Sequence, residues 1–189
     1  MSNNHRKWLV EALKLVLVPE FEKRGFSIIP LSGELSKDRD YRFSYPFGRL
    51  RRMKEKGFEL IGIKLSKKGS ARFSLTIGTV PIEGNKLAFG KIVPPKDVWA
   101  DDLETYYCLF RNKFLWSDFS IRQWPWKTIV KADYFKLAEE VAKLISEIDE
   151  VFATGKCGPH ISRFDLTKHS ENIIRIMEKV KREREWSNE

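Results

Sequence analysis

Residues 58–66 read FELIGIKLS and residues 71–80 read ARFSLTIGTV, with KKGS between them. In the first run Ile61, Ile63 and Leu65 alternate with Leu60, Gly62 and Lys64. In the second, Ala71, Phe73, Leu75 and Ile77 alternate with Arg72, Ser74, Thr76 and Gly78. A helix would scatter these residues around its axis. A pleated strand, whose side chains alternate between faces, gathers the apolar set on one side. The turn signals Glu55-Lys56-Gly57 and Lys67-Lys68-Gly69-Ser70 cut 47–80 into three runs, which read as a three-stranded antiparallel meander. The first run, Arg49-Leu50-Arg51-Arg52-Met53-Lys54, carries most of the charge. That suits an edge strand, where lysine and arginine oppose unwanted pairing.

The rest of the chain supplies partners for this sheet. Trp8, Leu9, Ala12, Leu13, Val16 and Leu17 recur at helical spacing within a predicted helix over 5–24, with Pro19 set to kink or end it and Gly25 to stop it. A short strand is expected over 26–31 and a loop over 32–46. The long connection 81–104, with Pro81, Pro94 and Pro95, leaves room for a helical turn within 97–104; connections of this length are usually functional or irregular. Strands follow over 105–111 and 119–124. A helix over 133–152 presents Leu137, Val141, Leu144, Ile145, Ile148 and Phe152 as one stripe, with Asp133 as its N-cap and Gly155 as its stop. A last helix is expected over 167–185. Strands grouped before helices point to an α+β fold, an antiparallel sheet of about five strands with helices packed on one face. A single domain over 1–163 is expected, followed by a C-terminal helix and charged tail over 164–189.

Of the 189 residues 42% are hydrophobic, enough for a substantial core. The apolar part of the N-terminal segment is broken by Glu11 and Lys14, so it reads as a first helix rather than a leader, and no run is long enough to span a membrane. Cys108 and Cys157 are too few for a disulfide framework or a zinc site, which points to free thiols and a cytoplasmic protein. The net charge is +9. Between Lys37 and Arg72 twelve basic residues face four acidic ones, so nearly all of that excess is local. Such a field attracts polyanions, acidic proteins or anionic surfaces, or simply keeps a hairpin soluble.

Two clusters read as candidate binding sites. Arg49, Arg51 and Arg52 on one strand, with Lys67, Lys68 and Arg72 nearby, suit phosphate contacts. No RNA-recognition signature, zinc-finger spacing or recognition helix accompanies them. Residues 114–126, FLWSDFSIRQWPW, hold three tryptophans and two phenylalanines. On a strand there, Arg122 and Trp124 share a face and could stack a base or grip a peptide. The alternative is that Trp116, Trp124 and Trp126 cover the sheet edge and seat the following helix. The segment GKCGPH sets Cys157 near His160, which supplies two metal ligands at most and reads better as a turn. No phosphate-binding glycine loop, nucleophile elbow or working carboxylate pair stands out; Asp101-Asp102 and Glu139-Glu140 read as ordinary surface residues. No catalytic residue, metal or cofactor is expected.

Phe73, Leu75, Ile77, Gly78, Val80, Pro81 and Gly84, together with Gly158, Pro159 and His160, resemble the short motifs of a family of bacterial domains of unknown function. The resemblance spans about residues 5–163 and carries no established reaction. Small domains of this kind often look like immunity or defence-associated proteins. The basic balance fits poorly with an inhibitor of a basic nuclease toxin, which favours acidic surfaces. The leading expectation is a non-enzymatic cytoplasmic domain that binds a protein partner. The alternative is a nucleic-acid-binding module using the basic hairpin and the aromatic strand, and no membrane partner is expected.

Overall fold

The chain runs helically from the start of α1 (Asn3–Ala12) through a π-helical stretch (Leu13–Leu17) to the end of α2 (Val18–Lys23) in a computed structural model that describes residues 3–67, 70–86, 92–112, 118–121 and 128–166. Pro19 does not end this run, one of the two outcomes expected of it; it sits in the first turn of α2, which directly follows the π-helical stretch. Proline lacks an N–H and its ring crowds the carbonyl four residues back, and the widened π turn just before it relieves that conflict.

Next come β1 (Ser27–Ile29) and two short helices, α3 (Gly33–Lys37) and α4 (Arg39–Ser44), where a loop was expected. The meander then appears as β2 (Arg49–Lys54), β3 (Gly57–Leu65) and β4 (Arg72–Pro81). Its register pairs Ile61 with Ile77, Ile63 with Leu75 and Leu65 with Phe73, so the apolar faces of both strands coincide. A small hairpin, β5 (Asn85–Lys86) with β6 (Ile92–Val93), precedes β7 (Thr105–Leu109) and β8 (Phe119–Ser120). Both β7 and β8 pair with β4, and β9 (Ile161–Asp165) pairs with β7. The main sheet therefore has seven antiparallel strands, more than the five expected, in the order β1-β2-β3-β4-β7-β9 with β8 beside β4.

One strand expectation is corrected: Arg49–Lys54 is not the edge, because β1 pairs outside it through Ile28 and Leu50. β9, a strand not expected from the sequence, supplies the other edge; five residues after a Gly-Pro turn carry too little periodicity to stand out. The helix expected over 133–152 is two helices, α5 (Lys131–Lys143) and α6 (Ile145–Thr154), broken at Leu144. Asp133 is not the N-cap. It lies in the first turn, and its carboxylate accepts a hydrogen bond from the Val130 amide, 3.0 Å away. Gly155 does end α6, at φ 72°, a left-handed geometry that glycine adopts freely. The expected helix over 167–185 lies outside the described residues.

The two faces of the sheet differ. On one, Leu50, Ile61, Ile63, Leu65, Phe73, Leu75 and Ile77 join Leu9, Leu13, Leu17 and Phe21 of the first helical run and Val141 and Ile148 of α5 and α6 in the main core. On the other, Leu60 and Val80 are covered by Val98, Ala100 and Leu103 from the long connection. That connection forms two 3-10 turns, Pro95–Asp97 and Ala100–Asp102. Among the described residues no helix is long and apolar enough to cross a membrane.

Candidate binding site

The non-helical face carries a site built from two short segments. The first is α4. Asp38 caps it, its Oδ1 accepting hydrogen bonds from the Asp40 amide at 2.7 Å and the Tyr41 amide at 3.1 Å. Asp40 and Ser44, and Tyr41 and Tyr45, stand four apart and so share one side of this turn. Arg6 of α1 fixes the other side. Its guanidinium donates to the carbonyls of Phe43 and Ser66 and lies 3.5 Å from the centre of the Phe43 ring.

The second segment is the turn Ala100–Asp102, closed by the Asp102 amide donating to the Trp99 carbonyl at 3.2 Å. Gly78 on β4 makes room for it: a Cβ there would come within 2.2 Å of Leu103 Cδ1. The missing side chain lets Ala100 and Leu103 seat directly on the sheet, with Trp99 and Asp101 turned toward α4.

Between the two segments lies a cavity of about 120 Å³, lined by Asp40, Tyr41, Ser44, Tyr45, Lys64, Lys67, Trp99, Asp101 and Asp102. Its wall is aromatic. The Tyr45 and Trp99 ring centres are 4.2 Å apart, and Tyr41 stands 6.0 Å from Tyr45 and 6.1 Å from Trp99. Its floor is charged. Asp101 Oδ2 accepts from the Tyr45 hydroxyl at 2.9 Å and from Lys64 Nζ at 2.8 Å. Burial, reinforced by Asp101, pushes the Tyr45 phenol far above its ordinary range, so it stays a hydrogen-bond donor. Partial desolvation and the neighbouring Asp101 also raise the Asp102 carboxyl, against the pull of Lys64, although Asp102 stays exposed at the cavity's edge. Ser44 is fully buried, and its Oγ has no hydrogen-bond partner. A buried hydroxyl left unmade is costly and usually has a reason.

The cations singled out from the sequence do not form one surface. Arg49 and Arg51 are only 3% and 7% exposed, on the non-helical face. Burial lowers both guanidinium pKa values, that of Arg51 to about 10. Arg51 donates to the Val98 carbonyl, and Arg49 lies over the Trp99 ring, 5.1 Å from its centre. Arg52 faces the helices instead. It donates to Glu59, to Asp149 and to the Arg24 carbonyl, and covers the Phe26 ring. Lys67 and Arg72 are exposed and line an open groove with Lys64 and Asp118. Lys68, Arg122 and Trp124 lie outside the described residues.

The GKCGPH segment is a clamp between α6 and β9. Glu147 accepts from the His160 amide at 3.1 Å, and its other carboxylate oxygen is 2.6 Å from His160 Nδ1. Gly158 leaves room for this carboxylate, since a Cβ would meet Glu147 Oε2 at 2.3 Å and push the side chain aside. Cys157 is exposed, whereas burial, then Asp101 and Asp118, push the Cys108 thiol up to about 12. Among the described residues no group of three or more histidines, cysteines or acids could hold a metal ion.

No family model, curated protein or solved structure matches this chain.

The cavity residues Asp40, Tyr41, Ser44, Tyr45 and Trp99 do not stand out in the sequence, where they fall in an expected loop and a long connection; Asp101 and Asp102 read there only as surface carboxylates, and Asp102 is exposed while Asp101 is half-buried. One signal was available, since a structured connection as long as 81–104 tends to carry function.

Proposed function

We propose that the protein is a non-enzymatic binding domain whose ligand is another protein, recognised at the Tyr41–Tyr45–Trp99 cavity. The observation that carries this reading is the cavity itself. Three aromatic rings, three carboxylates and an unpartnered buried hydroxyl converge on about 120 Å³ in a chain of net charge +9. Tyrosine and tryptophan are the side chains that most often anchor protein partners. The lining of aromatic rings and carboxylates supports recognition of a partner's side chain. A cytoplasmic setting and a defence or immunity role belong to the same proposal and rest on the sequence reading.

Affinity capture from cells that produce the protein tests it. Three forms are compared: the parent, Tyr41→Ala with Asp102→Asn, and Arg72→Gln, which lies outside the cavity. The expected result is a protein retained by the parent and by the Arg72 variant but lost with the cavity variant, in the presence of nuclease. Material lost on nuclease treatment and with the Arg72 change would instead support the nucleic-acid module.

A further inference from the structure

We infer that the cavity is a receptor for a single cationic side chain, an ammonium or guanidinium presented by the partner, and that Lys64 holds that place in the free protein. The inference rests on the protein-binding reading above and adds the chemistry of what enters.

Aromatic faces attract cations, and desolvation strengthens the effect. The structure already shows this at the ring cluster. Lys64 Nζ lies 5.7 Å from the Tyr45 ring centre while donating to Asp101 at 2.8 Å. Arg49 occupies Trp99 from the sheet side. An ammonium, an aromatic face and a carboxylate are thus the combination the site accepts, and here the chain supplies the ammonium itself. Two further carboxylates, Asp40 and Asp102, line the same cavity, so its charge favours a second cation. Fully buried Ser44, with an unpartnered Oγ, offers an acceptor to an incoming N–H. An anion would meet three carboxylates against two ammonium groups, Lys64 and Lys67, so the local balance still favours a cation, and a neutral chain would leave Ser44 and the acids unused.

Lys64 enters from β3, whose backbone is held here by pairing with Ser74 of β4, and its side chain is half-buried, with a solvent-facing part left over beside its ion pair with Asp101. Self-occupancy lowers the fraction of molecules ready to bind, and therefore the apparent affinity. Removing the lysine removes the competitor.

The test uses the full chain and three small probes: N-acetyl-lysine methylamide, its trimethyl-lysine counterpart and the neutral N-acetyl-norleucine methylamide. Binding is read from the Trp99 indole N–H resonance, assigned with a Trp99→Phe control. Both cationic probes should shift it saturably, and the neutral probe should not. Lys64→Met and Lys64→Gln, each checked for an intact denaturation transition, should tighten cationic binding on the order of tenfold. Tyr41→Ala should weaken it by a similar factor. Equal binding of the neutral probe, or no cationic binding in either Lys64 variant, overturns the inference. If a protein is still captured through the cavity while the cationic probes fail, the inference falls and the protein-binding reading stands. If no protein is captured but the cations bind, the reverse holds.

Discussion

Arg49, Arg51 and Arg52 sit next to one another in the sequence and do different work. Strand alternation places Arg51 and Arg52 on opposite faces, the same period that reveals Phe73, Leu75 and Ile77 as core. This split was legible from residue numbers; burial was not, because the cover comes from a connection with no regular pattern. Arg52 joins β2 to β3, α2 and α6 through Glu59, the Arg24 carbonyl and Asp149. Removing it strands the buried Glu59 carboxylate, while Asp149 keeps Arg24 at 3.0 Å, so Arg52→Met should cost about 1–3 kcal/mol. Arg49 is more deeply buried than Arg52, but its Nε and Nη1 lack hydrogen-bond partners, and a carboxylate oxygen of Asp97 is 3.9 Å away. A buried charge so poorly compensated is expensive, and an apolar side chain of similar length can replace it without loss. Arg49→Met should therefore change stability by less than about 1 kcal/mol, or raise it. Urea midpoints of the two variants check this contrast. Equal destabilisation would mean that Arg49 holds the fold as firmly as Arg52 does.

At the scale of elements, what could be read was whatever repeats. The meander, the first helical run and the α5–α6 stripe follow periods of two or 3.6 over many residues, and all were expected. The six residues of α4, the three of Ala100–Asp102 and the five of β9 are too short to show a period, and the site is made from the first two. Gly78 links the legible part to the illegible part. In the sequence it marks the end of an alternating run; in the structure it is the seat of the Ala100–Asp102 turn. Gly78→Ala places a Cβ within 2.2 Å of Leu103 Cδ1 and 3.6 Å of Ala100. The sheet cannot yield easily, because β4 pairs on both sides, so the buried Leu103 side chain must rotate away or carry the turn outward with it. Stability should fall by about 1–3 kcal/mol, the usual cost of overpacking. Trp99, 5% exposed in the parent, should become more accessible, and capture of the partner should weaken. Collisional quenching of tryptophan fluorescence, with Trp99→Phe to identify its share, measures the first effect. Unchanged quenching with a full loss of stability would show that the sheet distorts instead of the turn.

The whole molecule sets an overall positive charge against a local site of opposite character. The cavity holds three aspartates and two lysines, while the chain as a whole is +9. Long-range attraction to polyanions and short-range recognition of a cation are therefore separable. Salt separates them, because exposed charges are screened beyond about 10 Å at 0.1 M, whereas contacts inside a cavity are screened much less. Any oligonucleotide binding must come from exposed cations such as Lys67 and Arg72, since Arg49 and Arg51 are covered and Arg52 is engaged. Each phosphate neutralised contributes about 0.7–0.9 to the slope of log affinity against log salt. Lys67→Gln with Arg72→Gln should flatten that slope by about 1.4–1.8, and Arg49→Met should leave it unchanged. Cationic probe binding at the cavity should vary little over the same salt range. Titrations of a single-stranded oligonucleotide and of N-acetyl-lysine methylamide at 50 and 200 mM salt check both expectations. A slope that flattens with Arg49→Met would mean that this arginine reaches phosphate after all, and the buried face would have to open for nucleic acid.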